Sequence, residues 1–203
     1  MAAVRAAEVG LAHQAREFIA ESVKVGQGRD ASALTALVAA RVGNLQEAEQ
    51  RSSALDKQYS SDTLIQQYWL PTIRASISLR QGKAEQAVEQ LRPALTIEMA
   101  TPASSVAMLY PAYVRGQAYL AAGNPTSAVA EFKKFMDHRG LLLNFPLASL
   151  AGLQLARACA AANDEVKEQQ AYRDFLNLWK DADPEIPILK QAKSEFAKVA
   201  AVR

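Results

Sequence analysis

One cysteine, two histidines and two tryptophans are all that 203 residues supply. A lone Cys159 cannot form an internal disulfide, and with no histidine close to it in the run LQLARACAAA it reads as a small packed apolar residue rather than a reactive thiol. His13 and His138 are too far apart in sequence to form a local zinc pair. No Gly-rich phosphate loop is present, because Gly26 and Gly28 are followed by Arg29-Asp30. There is no Gly-x-Ser-x-Gly either. The acidic turn Asp181, Asp183, Glu185 lacks the glycine and the spacing of a calcium loop. Asp137-His138-Arg139 reads as a helix C-terminus, where His and Arg meet the negative end of the dipole ahead of Gly140. No catalytic, cofactor or metal site is therefore expected.

Charge of one sign is also missing. The 23 basic and 21 acidic residues leave a net charge of +2 with no basic block, which makes nucleic acid a poor partner. The longest uncharged run, Leu141 to Ala156, is shorter than a membrane span and contains Asn144, Pro146 and Gln154. Met1–Gly10 lacks the apolar core of a signal peptide. No alternating run or Asn-Gly hairpin marks a strand. These features predict a soluble chain whose compartment stays open.

What is there is alanine, apolar periodicity and a repeated turn. Half the residues are hydrophobic and 22% are charged, which is globular rather than disordered. A turn residue followed five positions later by a small one recurs as Gly10/Ala15, Gly43/Ala48, Gly82/Ala87 and Gly123/Ala128, with Asn163/Glu168 a fifth, imperfect copy. The turn residues are 33, 39, 41 and 40 apart. Glycine, then asparagine, suits a helix C-terminus because it takes the left-handed conformation cheaply.

The spacing predicts helical hairpins over about 1–25, 29–59, 62–97, 104–138 and 146–180, and a capping helix over 184–200. Met1–Val9 reads as the second half of a helix whose start is missing. Asp30 and Asn44 are expected caps, and Ser61-Asp62 opens a longer helix in which Pro71 makes a kink or marks the true start. Glu98–Ser105, with Thr101-Pro102, reads as a polar, broken linker. Leu141–Pro146 reads as an apolar connection packed under the array. Asp183-Pro184 is the expected start of the last helix, whose Ile188, Leu189, Ala192, Phe196 and Val199 face one side while lysines face the other.

The best-formed unit is LYPAYVRGQAYLAAGNPTSAVAEFKKFM, Leu109 to Met136. Gly116-x2-Tyr119 and Ala128-x3-Phe132 put small residues where two helices approach and large ones around them. This resembles the tetratricopeptide repeat (TPR), and the resemblance extends over nearly the whole chain. It departs where the family's tryptophan and leucine are Ala112 and Arg115, and where its closing proline is Gly140. LYPAYVRGQAYLAAG, FMDHRGLLLNFPLASLAGLQLARA and YRDFLNLWKDADPEIPILKQAKSEF are in addition similar to the C-terminal repeat region of bacterial, especially acidobacterial, multidomain serine/threonine protein kinases. Related tails occur on winged-helix transcriptional regulators. Kinase activity is not implied: the Gly-rich loop, catalytic-loop aspartate and Asp-Phe-Gly are absent, and Asp174-Phe175-Leu176 is helical.

The resemblance implies an all-α, right-handed α-solenoid of about five TPR-like hairpins plus a C-terminal capping helix. In such an array the first helix of each pair lines the concave face. Trp69, Arg80, Tyr110, Tyr113, Gln117, Leu120 and Arg157 should point there, with Thr72, Ser76, Leu150, Leu153 and Arg41 at equivalent positions. Aromatics and arginines on a groove suit peptide recognition; the bland alternative is that they pack between repeats. Ala33 and Leu37 stand where the chaperone-binding subgroup has Lys and Asn, which argues against that activity. The function expected is a non-catalytic protein- or peptide-binding scaffold or sensor segment of a larger bacterial signalling protein. The alternative is an oligomerisation or regulatory tail whose groove is filled by its own chain.

Overall fold

The computed structural model describes residues 1–25, 28–100, 109–142 and 145–201. Eleven α-helices and no strand occur among them. In order these are α1 (Ala2–Glu8), α2 (Ala12–Val25), α3 (Arg29–Arg41), α4 (Leu45–Gln58), α5 (Leu70–Arg80), α6 (Ala84–Gln90), α7 (Tyr110–Ala121), α8 (Pro125–Asp137), α9 (Leu147–Ala161), α10 (Glu165–Leu178) and α11 (Pro187–Ala201). None is long and apolar enough to cross a membrane.

The five expected turns share one hydrogen-bond pattern. Leu11, Asn44, Lys83, Asn124 and Asp164 each donate their backbone N–H to the carbonyl five residues earlier, at 2.8–2.9 Å. The turn residue before each of them donates to the carbonyl three residues earlier, at 3.0–3.3 Å. This paired 6→1 and 5→2 closure requires a left-handed residue. Gly10, Gly43, Gly82 and Gly123 supply it with φ of 91°, 83°, 75° and 72°, and Asn163 with 57°. The small residue five positions on, Ala15, Ala48, Ala87 or Ala128, is fully buried each time.

These turns fold α1/α2, α3/α4, α5/α6, α7/α8 and α9/α10 back on themselves, and each pair packs on the next. The odd-numbered helices pack on one another in sequence, α1 to α3 to α5 to α7 to α9, and form one continuous layer. Each even-numbered helix up to α8 also packs against the odd helix that follows it. A residue one turn-length before the turn on an odd helix therefore meets its counterparts on neighbouring odd helices. That layer positions the site.

Local chemistry adjusts several boundaries. Asp62 Oδ1 accepts from the Ile65 amide at 3.0 Å, so the third pair opens at Asp62 as its sequence suggests. A π turn over Ile65–Trp69 then precedes α5. The widened turn lies where the ring of Pro71, which has no N–H to donate, would crowd the carbonyl of Gln67. Pro93 ends α6 similarly, in a 3₁₀ turn over Arg92–Thr96. The caps differ in part from expectation. Gly28, not Asp30, precedes α3, and Asp30 instead binds Arg29 at 2.7 Å. Asn44 does precede α4, but its side-chain amide donates to Glu47 at 2.6 Å. Asn124 and Asp164 accept from the third amide on at 3.2 Å.

The last helix starts at Pro187, three residues after the expected Pro184. Asp183 instead closes a tight turn by accepting from the Glu185 amide at 2.8 Å. Leu189 and Ala192 are buried, and α11 packs against α10. Leu142 and Phe145 of the apolar connection are buried too. Thr101-Pro102 of the expected linker lies outside the described residues. Glu98, assigned to that polar linker, is instead 2% exposed and holds Arg115, which is equally buried. A guanidinium is thus tolerated in the core because a carboxylate comes to meet it. Arg115 also binds Glu131 at 2.7 Å, and Lys134 reaches both acids.

The chain ends meet. The Ile188 amide donates to the Val9 carbonyl at 3.3 Å, and a Cβ on Gly10 would stand 2.9 Å from Cβ of Pro187. The first turn and the start of α11 thus close over one end of the odd-helix layer.

Candidate functional site

The odd helices end on a recess of about 210 Å³ lined by Glu8, Arg41, Arg80, Tyr113, Gln117 and Arg157, with Gln154, Gln191 and the Ala7–Gly10 turn completing it. Arg41 and Arg80 occupy the last position of α3 and α5, two residues before the turn glycines Gly43 and Gly82. Gln117 and Arg157 lie one turn further from their own turn residues, on α7 and α9. The repeat brings them together: equivalent points on stacked helices fall in one column.

Arg41 is the fixed cation. Its Nε and Nη2 grip the two oxygens of Glu8 at 2.6 and 2.9 Å, and its Nη1 donates to Gln117 at 2.8 Å. The guanidinium carbon lies 5.9 Å from the centre of the Tyr113 ring, in cation–π range. Burial opposes the charged form of Arg41, but Glu8 outweighs it and holds the side chain firmly protonated. The hydroxyl of Tyr110 also binds Glu8. Burial, then the negative charge of Glu8, pushes the Tyr110 phenol well above its ordinary range. Glu8 is only 1% exposed in its side chain, so this carboxylate is enclosed and fully partnered.

Arg157 is paired as well. Its Nε and Nη2 bind the carboxylate of Glu195 on α11 at 3.0 and 2.9 Å, and Tyr172 donates its hydroxyl to the same group at 3.0 Å.

Arg80 is different. Its Nη2 donates to the main-chain carbonyl of Arg41, and no carboxylate among the described residues lies within ion-pair distance of it. Partial burial, then the positive charge of Arg41, lowers its pKa. Arg80 is exposed at the mouth of the recess, and a cation that faces a second cation gains by meeting an anion.

Of the seven residues expected on the groove, Arg80, Tyr113, Gln117 and Arg157 line this recess together. The other three do not line it. Trp69 is 3% exposed, packs edge-on to Tyr68 at 5.0 Å and leaves Nε1 without a partner among the described residues. Tyr110 is fully buried, its ring 6.3 Å from Phe145 and its amide 3.2 Å from the Tyr68 hydroxyl. Leu120 is half-buried away from the recess. Tyr113 shows only an edge, because Phe132 and Phe135 hold its ring at 6.1 Å each. The aromatics are thus mostly core, and the polar groups make the surface.

Glu8 and Glu195 were missed by reasoning from sequence. Both come from the ends of the chain, and only tertiary closure brings them to the column. Arg41 was noted as an equivalent position but not singled out.

No family model matches this chain, and neither a curated protein nor a solved structure matches it.

Proposed function

We propose that the chain is a non-catalytic, TPR-like α-solenoid that binds a protein or peptide partner, and that an acidic residue of the partner enters the Arg80 recess. The guanidinium of Arg80, which meets no carboxylate among the described residues, carries this reading. Beside it, Arg41 and Arg157 are each matched by a carboxylate, so the recess has the geometry for carboxylate recognition and one cation to spare. A volume of about 210 Å³ suits one side chain or a chain terminus better than a drug-sized ligand. The stacking of helix pairs supports the solenoid part of the proposal, and the resemblance of roughly residues 60–200 to kinase tails supports placing it in a larger bacterial signalling protein. In that setting the segment acts as sensor or scaffold, and any kinase activity belongs to another domain.

A second reading has one observation in its favour. The first turn and α11 meet across the end of the layer, so the chain itself covers part of that end. This suits an oligomerisation or regulatory tail, as on a winged-helix regulator. Selection from a displayed random-peptide library separates the two. The scaffold reading expects enrichment of Asp or Glu and loss of at least about tenfold in affinity in Arg80→Glu, corresponding to about 1.4 kcal/mol. A monomer that enriches no peptide overturns the scaffold reading, and a defined oligomer burying the recess establishes the regulatory one.

A further inference from the structure

Nine positions after the turn residue, four of the five pairs bury a large side chain. These are Ile19, Leu91, Phe132 and Tyr172, at 7%, 0%, 0% and 3% exposed. The second pair has Ser52 there, and it is just as enclosed, at 4%. A serine side chain fills far less of a core position than a leucine or a phenyl ring. A pocket of about 240 Å³ opens beside it, between α4, α5 and α6. It shares no lining residue with the Arg80 recess.

The polar groups around this pocket divide into those that are spent and those that are open. Ser78 donates to Gln90 at 2.9 Å, and Arg74 is matched by Asp56 at 2.6 Å. Glu49 is not matched. The Gln81 amide donates to its Oε1 at 3.2 Å, and no cation among the described residues lies within ion-pair distance of it. The hydroxyls of Ser52 and Ser53 also line the pocket and make no hydrogen bond among the described residues. An enclosed hydroxyl such as that of Ser52 gains by meeting a partner.

What stays open is a set of acceptors: the second oxygen of Glu49, the side-chain carbonyl of Gln81 and the two serine hydroxyls. Glu49, Ser52 and Ser53 share one face of α4 because they are three and four residues apart. Gln81 comes from the end of α5, so the acceptors stand on two sides. An ammonium suits them, since it carries three donors in different directions and accepts nothing; a guanidinium holds its donors in one plane. Ile77 is the apolar side chain of the lining, and the methylenes of a lysine can lie along it. Arg74 lies seven residues before Gln81 on α5, about 10 Å away along the helix, and disfavours a second positive charge at that end.

We infer that this pocket takes one lysine side chain of a protein partner, with its ammonium on Glu49 and Ser52 and its stem on Ile77. Glu49 and Gln81 are exposed, so a free amine gains little there, and the rest of a larger ligand holds the lysine in place. The inference does not depend on the Arg80 reading.

The test presents a displayed random-peptide library to the Arg80→Gln chain, whose recess has no cation to spare. Selected peptides enrich Lys, and a synthetic copy of one shifts the amides of residues 49–53 and 77–81 saturably in the labelled chain. Acetylating its lysine, which removes the charge, weakens binding at least about tenfold. Adding Ser52→Leu gives the second pair the residue of the third, fills the pocket and abolishes these shifts while the helical signal is kept. Glu49→Gln, at an exposed position where folding is not at stake, weakens the peptide at least about tenfold and serves as the deciding variant should Ser52→Leu fail to fold. Selection without Lys, equal affinity for the acetylated peptide, or undiminished binding by Glu49→Gln overturns the assignment. So does displacement of the peptide by an equal concentration of butylammonium, since the occupant is then a free amine.

Discussion

The ring of Phe132 lies directly against the α-carbon of Gly116. A Cβ built there would stand 2.6 Å from both Cε1 and Cζ of that ring. Sequence reasoning set Gly116 opposite Ala128, but it is the aromatic of α8 that takes the space. Phe132 is fully buried and also touches Tyr113, so it has nowhere to retreat. Gly116→Ala should destabilise the fold by about 1–3 kcal/mol by overpacking. Ala128→Leu, at an equally closed position, should cost a similar amount. A denaturation midpoint unchanged in Gly116→Ala would show that the α7–α8 contact is looser than described.

The Arg115 cluster should behave as a unit. Its Nη2 binds Glu98 at 2.7 Å and Glu131 at 2.7 Å, all within the core of the fourth pair. Burial works against the charge on Arg115, but the bonds to Glu131 and Glu98 prevail and keep it protonated. Glu98→Ala removes a partner from a buried cation, which costs about 3–5 kcal/mol. Adding Arg115→Met, which puts an uncharged apolar side chain in the same buried place, should recover much of the loss. Urea unfolding of the two single variants and the double variant measures this coupling; strict additivity would contradict it.

Glu168 stands at the small position that holds alanine in the other four pairs. Burial, then the charge of Glu165, raises its pKa. The folded state therefore holds this proton more tightly than the unfolded state. Its contribution is most favourable below the unfolded pKa and is lost as pH rises through the folded pKa. Glu168→Ala should raise the melting temperature more at pH 7 than at pH 4, by a difference of about 1–3 °C. An equal gain at both pH values would place the Glu168 carboxylate in water.

The turns and the pairing of helices were legible in the sequence because each depends on one local device. A glycine or asparagine closes the helix, and a small residue five positions later lets the partner approach. The cap of α11 was read three residues early because Asp183 can either begin a helix or close a turn, and only the packing against Val9 selects Pro187 as the start. Glu98 looked solvated because a carboxylate in a polar stretch carries no mark of the cation that will bury it. The recess was half legible. The resemblance implied one wall for Arg80, Tyr113, Gln117 and Arg157, but it could not show that Trp69 and Tyr110 point into the core, nor that Glu8 and Glu195 arrive from elsewhere in the fold to neutralise their neighbours.

The proposed partner-binding role rests on Arg80 being the guanidinium left to bind. The most direct measurement follows the Arg80 Nε–H resonance while a peptide selected on this chain is titrated in, once with its acidic residue and once with the matching amide. The acidic peptide should shift that resonance saturably, leave the Arg41 and Arg157 signals bound to Glu8 and Glu195, and lose at least about tenfold in affinity when Glu becomes Gln. Equal affinity for the two peptides, with Arg80 unmoved and shifts gathered on α2, α4, α6, α8 or α10, would place the binding face on the other side of the array.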